Sequence, residues 1–134
     1  DEALVVTSPE ISAVRDSDRI IGMLASKTQR AEQDQPPVKV HLVVTRYDPV
    51  RVERGDMLSA DDVCEILAIP FLGVVPESKL VLAASNSGIP VTLAEESDAG
   101  EAYFDIVDRF LGEDVPYRFM DVQKKGFFSR FFGS

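Results

Sequence analysis

The sequence predicts an α/β fold, a parallel sheet flanked by helices, followed by a C-terminal amphipathic helix. Short β-branched runs alternate along the chain with longer stretches of helical period. The runs Leu4–Val6, Val40–Val44 and Phe71–Val75 are apolar on both faces, as strands covered on both sides must be. The last eleven residues have a different character, with Phe pairs set among Lys and Arg.

Each element has a local cause. After Leu4-Val5-Val6, Thr7 and Glu10 stand at capping-box spacing around Pro9, so a helix is expected from there to about Arg30. Its inward side would be Ile11, Val14, Ile21 and Leu24. Gln33–Pro37 is polar and Pro-rich, hence a loop. The second strand, Val40–Val44, is followed by Ser59-Ala60-Asp61-Asp62, which opens a helix with Val63, Ile66 and Leu67 inward. Pro76 stops the third strand. Ser78–Ser87 reads as a short helix that Gly88 ends in a left-handed conformation, and Ile89–Leu93 as a short extended piece. Ser97 caps the last core helix, with Tyr103, Ile106, Val107 and Phe110 inward and Gly112 closing it. The organisation expected is residues 1–112 as one body, 113–123 as a linker and 124–134 as the amphipathic helix.

Composition narrows the function. The 134 residues are 45% hydrophobic and 28% charged, enough for one compact domain. A single cysteine, Cys64, excludes an internal disulfide and fits a reducing cytosol. No stretch approaches the roughly 20 apolar residues that span a bilayer. Asp1-Glu2 does not resemble a signal peptide, and without an initiator Met the chain is expected to begin inside a longer protein. The net charge is −9, but from Lys124 onward it is +3, which leaves −12 on residues 1–123. Such an acidic body argues against nucleic acid as a partner.

The tail Lys124-Lys125-Gly126-Phe127-Phe128-Ser129-Arg130-Phe131-Phe132 holds four of the eight phenylalanines. As a helix it gathers Phe127, Phe128, Phe131 and Phe132 into an arc of about 140°, with Ser129 and Arg130 opposite. Lys124 falls near that arc, where its stem can snorkel. This pattern is that of a helix lying in a lipid–water boundary. A fully buried Phe is worth about 1.5–3 kcal/mol, and an interfacial one less. Each cation beside an anionic leaflet adds about 1 kcal/mol. A segment this short is not a stable helix in water, and the acidic body is repelled by the same leaflet. One tail therefore binds weakly; two on a dimer gain about 10²–10⁴-fold through effective concentration. The competing reading is a terminal helix packed on the core.

Several motifs carry a resemblance. Thr7-Ser8-Pro9-Glu10, Ser12–Ile20, Thr45-Arg46-Tyr47, Arg54–Ser59, Gly73–Glu77 and Ala84–Gly88 resemble the C-terminal half of the MinD family of deviant-Walker-A ATPases. The tail is similar to the family's membrane-targeting sequence. The resemblance covers essentially the whole chain and implies a P-loop NTPase-like C-terminal half. It also implies an ATPase of bacterial division-site placement that uses ATP and Mg2+. Such proteins dimerise with ATP, bind an anionic membrane on the cytoplasmic face of the inner membrane, recruit MinC, and detach to the cytosol when MinE stimulates hydrolysis.

By the same resemblance Thr45, Arg46, Pro76 and Glu77 surround the adenosine, and Met57, Asp62, Asn86 and Gly88 belong to the surface for MinC and MinE. Pro76 and Glu77 also read as turn residues, Asp62 as a capping-box acid and Gly88 as a helix cap. Lys124, Lys125, Phe127, Phe128, Arg130, Phe131 and Phe132 would meet the membrane. The chain departs from the family in lacking G-x-x-x-x-G-K-[ST]. Its nearest imitation, Ile21–Thr28, has Ile and Ser in place of the glycines and lies late in a helix. No catalytic or metal-binding residue is assigned, and the chain alone is expected neither to bind nucleotide nor to hydrolyse ATP. Two alternatives stand beside this reading: a non-enzymatic membrane-anchored interaction module, and a related flagellar or plasmid positioning ATPase. Cys64 reads as a core residue, and His41 opens a strand with no visible partner.

Overall fold

A computed structural model describes residues 1–122. Strands β1 (Glu2–Thr7), β2 (Lys39–Tyr47) and β3 (Phe71–Pro76) form a parallel sheet in the order β1-β2-β3. Helices α1 (Ile11–Ser26), α2 (Gln29–Glu32), α3 (Pro49–Glu53), α4 (Ala60–Leu67), α5 (Lys79–Asn86) and α6 (Asp98–Phe110) connect or flank the strands. The α/β class with a parallel sheet flanked by helices is therefore the fold observed. The C-terminal amphipathic helix lies outside the described residues.

Two cores sandwich the sheet. On one face Leu42, Val44 and Val74 meet Val14 of α1 and Ala60, Val63 and Leu67 of α4. On the other, Val43, Leu72 and Val75 meet Ala99, Ala102 and Ile106 of α6. Period-two alternation along β2 sends its valines both ways. β3 would keep the same alternation but for an irregularity in its pairing, where Leu42 faces Phe71 and Val43 faces Gly73. Gly73 has φ +145°, and a Cβ built there would stand 2.7 Å from Arg109 Nη1. Only glycine admits both the backbone angle and the arginine.

Local signals decided most element ends. Ser59 and Asp62 form a full capping box at α4, Ser97 Oγ accepts from Gly100 N at 3.0 Å, and Gly88 and Gly112 take φ of +68° and +96°. The expected Thr7–Glu10 box does not form: Thr7 Oγ1 donates to Ser8 O, and Glu10 caps α1 without a side-chain bond. α1 ends at Ser26, and Thr28 caps the separate turn α2. Val91–Leu93 is a 3₁₀ turn, not an extended piece.

Three sets of expected core residues lie at the surface. Ile11, Ile66, and Val107 with Phe110 are 59%, 51%, 51% and 40% exposed. An apolar period marks a stripe on a helix but not its width, and only Val14, Val63, Leu67 and Ile106 reach the middle of their layers.

Residues 113–122 contain no helix or strand, as a linker would, yet they are strapped to the body. Arg109 donates from Nη1 to Leu72 O (2.6 Å), from Nε to Val115 O (2.9 Å) and from Nη2 to Pro116 O (2.6 Å). Its guanidinium lies 4.2 Å from the Tyr117 ring centroid. Tyr117 stacks on Phe71 and donates its hydroxyl to Phe71 O at 2.9 Å. Arg118 grips Asp105 and Glu101. Phe119, at φ +64°, packs against both cores.

Alanine substitutions at two glycines should act in opposite directions. Gly73→Ala should cost about 1–3 kcal/mol in urea unfolding through the clash and the backbone angle. Gly22→Ala, on the open side of α1 with nothing near its Cβ position, should add about 0.5–1 kcal/mol.

Candidate functional site

In a parallel sheet all strands finish on one side, and ligands bind there. Here that side is formed by Thr7, Tyr47 and Pro76. Between the ends of β2 and β3 and the start of α5 lies a cavity of about 230 Å³. Thr45, Arg46, Pro76 and Glu77 all line it, so the structure brings the four expected adenosine-side residues together. The sequence reading did not assign Val81, Ser85 and Tyr103 to this cavity, though they complete its wall. Tyr103 was marked by helical spacing as inward; the role of Ser85 carried no local signal.

The backbone shapes the mouth. Arg46 adopts a left-handed φ of +56° in the last turn of β2, a conformation that costs a non-glycine residue about 1–3 kcal/mol and gathers at functional sites. Glu77 N donates to Tyr47 O at 2.9 Å, which fixes the loop after β3. Arg46 Nε then meets Glu77 Oε2 at 3.3 Å across the opening. Both side chains are about half exposed or more, and such a pair contributes about 0–1 kcal/mol. It can therefore open for a ligand at small cost. An apolar floor with one aromatic wall and a polar rim suits a flat heterocycle bearing hydrogen-bonding edges.

The ligand expected at this cavity is the adenosine end of a nucleotide. The described residues offer no cradle for its phosphates, because residues 21–26 are the last turns of α1. Among the described residues no group of three His, Cys, Asp or Glu is placed to hold a metal ion.

The four expected partner residues are not one patch. Met57 is buried, 9% exposed, within the α1–α4 core, and its sulfur accepts from Asp48 N. Its side chain packs in that core and also lines a surface cavity with Pro9, Ile11, Asp56 and Leu58. Asp62 is exposed, with one carboxylate oxygen 3.1 Å from Ser59 N in the capping box. Asn86 and Gly88 are exposed at the end of α5, whose Val81 packs on the opposite layer from α4. The tail residues from Lys124 to Phe132 lie outside the described residues.

His41 does have partners. Its Nε2 stands 2.9 Å from Glu2 Oε2, and its ring meets Phe110 edge-on at 5.4 Å. Burial pushes the Cys64 thiol pKa up, which makes it an unreactive core neighbour. Burial also raises Tyr47, followed in smaller measure by the carboxylates of Asp61, Asp121 and Asp62, against a lowering by the bond its oxygen accepts from Ala60 N. A phenol held protonated in the folded state stabilises fully below the unfolded pKa of about 10, and that contribution is lost as pH rises towards the folded value. Thermal stability should thus fall above about pH 10, and Tyr47→Phe should flatten part of that fall in a pH series of melting curves.

No family model matches the chain. It is 59% identical over 133 residues to the septum site-determining protein MinD of Escherichia coli K12, covering 99% of this chain and 49% of that protein. The chain thus spans about half the length of the curated relatives it matches. Among solved structures, the MinD cell division protein of Aquifex aeolicus matches with a TM-score of 0.76 and 35% identity, over 88% of this chain and 47% of that one. A MinC:MinD complex from the same organism matches at TM-score 0.75 and 36% identity, over 87% and 45%. A Pyrococcus horikoshii MinD solved with Mg-ADP shares the fold at TM-score 0.63 and 23% identity, over 83% and 42%. The Escherichia coli relative is named for septum-site determination. With its three-stranded parallel sheet, its helical layers and its matched sequence, the chain belongs to the MinD family and corresponds to the C-terminal half of its members.

Proposed function

We propose that this chain is the adenosine-side and membrane-docking half of a nucleotide-dependent ATPase that places the bacterial division site. The observation that carries the nucleotide part is the convergence of Thr45, Arg46, Pro76 and Glu77 on one cavity at the ligand-binding side of a parallel sheet. Val81 and Tyr103 would contact the base, while Arg46 and Glu77 would take its polar edges. The phosphates and Mg2+ would be held by the rest of the family fold. ATP-driven homodimerisation would then pair two tails, and hydrolysis, stimulated by MinE, would separate them.

The membrane part rests on the tail's sequence. Four phenylalanines and three cations on a short segment suit an anionic leaflet, and the −12 body keeps attachment reversible. No described helix is long and apolar enough to cross a membrane, which agrees with peripheral attachment to the cytoplasmic face of the inner membrane. MinC and MinE would use exposed polar positions such as Asp62, Asn86 and Gly88; nucleic acid is not a proposed partner. The Aquifex relative found in a MinC:MinD complex supports the first of these partners.

Two experiments test the reading. Phe128→Glu with Phe131→Glu should abolish sedimentation with anionic vesicles, and unchanged binding would remove the lipid role. In a protein of the relatives' full length, Arg46→Ala and Glu77→Ala should each weaken adenine nucleotide binding by about tenfold, the effect of losing about 1.4 kcal/mol. Unchanged affinity, measured by titration calorimetry, would place the adenosine elsewhere.

A further inference from the structure

The strap determines where the tail can start. Arg109, Tyr117 and Phe119 pin residues 115–119 to β3 and both cores. Val122, the last described residue, lines a cavity of about 250 Å³ together with Pro49, Val50 and Pro76. Only Gln123 stands between it and Lys124, a reach of about 7 Å even when fully extended. A tail lying in a lipid boundary therefore holds α3 within a few ångströms of that boundary, with almost no slack.

The face that α3 turns outward suits that position. Asp48 caps the helix, accepting from Val50 N and Arg51 N, and Val52 turns inward against the α1–α4 core. At 100° per residue, Val50, Arg54 and Arg51 then share an outward arc of about 100°. Val50 is 42% exposed, and both arginines are exposed. Among the described residues neither arginine is in an ion pair. Glu53, Asp61 and Asp121 stand around the neighbouring cavity. They oppose an anionic surface, so this face cannot hold lipid without the tail.

We infer that Val50, Arg51 and Arg54 form a second lipid-contacting surface, which meets an anionic leaflet once the tail has inserted. The inference rests on the membrane reading of the tail and extends it: the body is oriented on the bilayer, with the ligand side of its sheet near the headgroups. Val50 would reach the boundary between headgroups and acyl chains, and the two guanidiniums would pair with lipid phosphates.

The chain contains no tryptophan, so a single introduced one reports its own surroundings. With phosphatidylglycerol vesicles, Val50→Trp in the whole chain should shift to the blue and be quenched by brominated acyl chains. Ile20→Trp, on the exposed side of α1, should do neither. Arg51→Glu with Arg54→Glu should weaken vesicle binding at least tenfold, whereas Arg15→Glu with Arg19→Glu should bind as the unsubstituted chain does. An unquenched Trp at position 50, or unchanged affinity of the Arg51/Arg54 variant, would overturn the inference while the unsubstituted chain still sediments with vesicles. If the unsubstituted chain fails to sediment, or the Phe128/Phe131 variant binds normally, the tail reading itself is wrong and this inference falls with it.

Discussion

The Arg109 guanidinium is bonded at once to the carbonyl of Leu72 in β3 and to those of Val115 and Pro116 in the segment after α6. Hydrogen bonds from a charged donor are worth about 1.5–3 kcal/mol each, and an abandoned carbonyl costs a comparable amount. The contact needs Gly73, whose missing side chain leaves room for Nη1. It also needs Tyr117, whose ring lies against the guanidinium while its hydroxyl satisfies Phe71 O. Sheet, last helix and final segment are thereby joined at one point.

From that point the geometry of function follows. Phe119 packs against both cores, and Val122 comes to rest beside Pro49, Val50 and Pro76. Pro76 also borders the cavity of Arg46 and Glu77. The candidate nucleotide site and the root of the proposed lipid-binding tail thus share one edge of the sheet and one proline. On the proposed reading, a body that carries excess negative charge and a tail too short to fold alone would make a weak attachment, and weakness is what a cycle of binding and release requires.

Features written in adjacent residues were legible in the sequence: the Ser59–Asp62 box, the Ser97 cap and the left-handed Gly88. Each depends on atoms within a few positions of one another. The four residues proposed for the adenosine side were reached through family motifs, not through spacing, because Thr45 and Pro76 meet only after two strands pair. The strap could not be read at all. Arg109 meets Leu72 across 37 positions and Tyr117 meets Phe71 across 46, and nothing local marks either partner. The short helix α3 did carry a signal, Asp48 before Pro49, the pattern of a capped first turn.

Amide hydrogen exchange of the whole chain, with and without anionic vesicles, tests the account most directly. The account predicts new protection from Lys124 to Phe132, with the amides of Tyr117 to Phe119 exchanging at the same rate in both states. Accelerated exchange in that strap on vesicle binding, or an unprotected tail, would contradict a lipid-docking segment anchored to a body that stays folded.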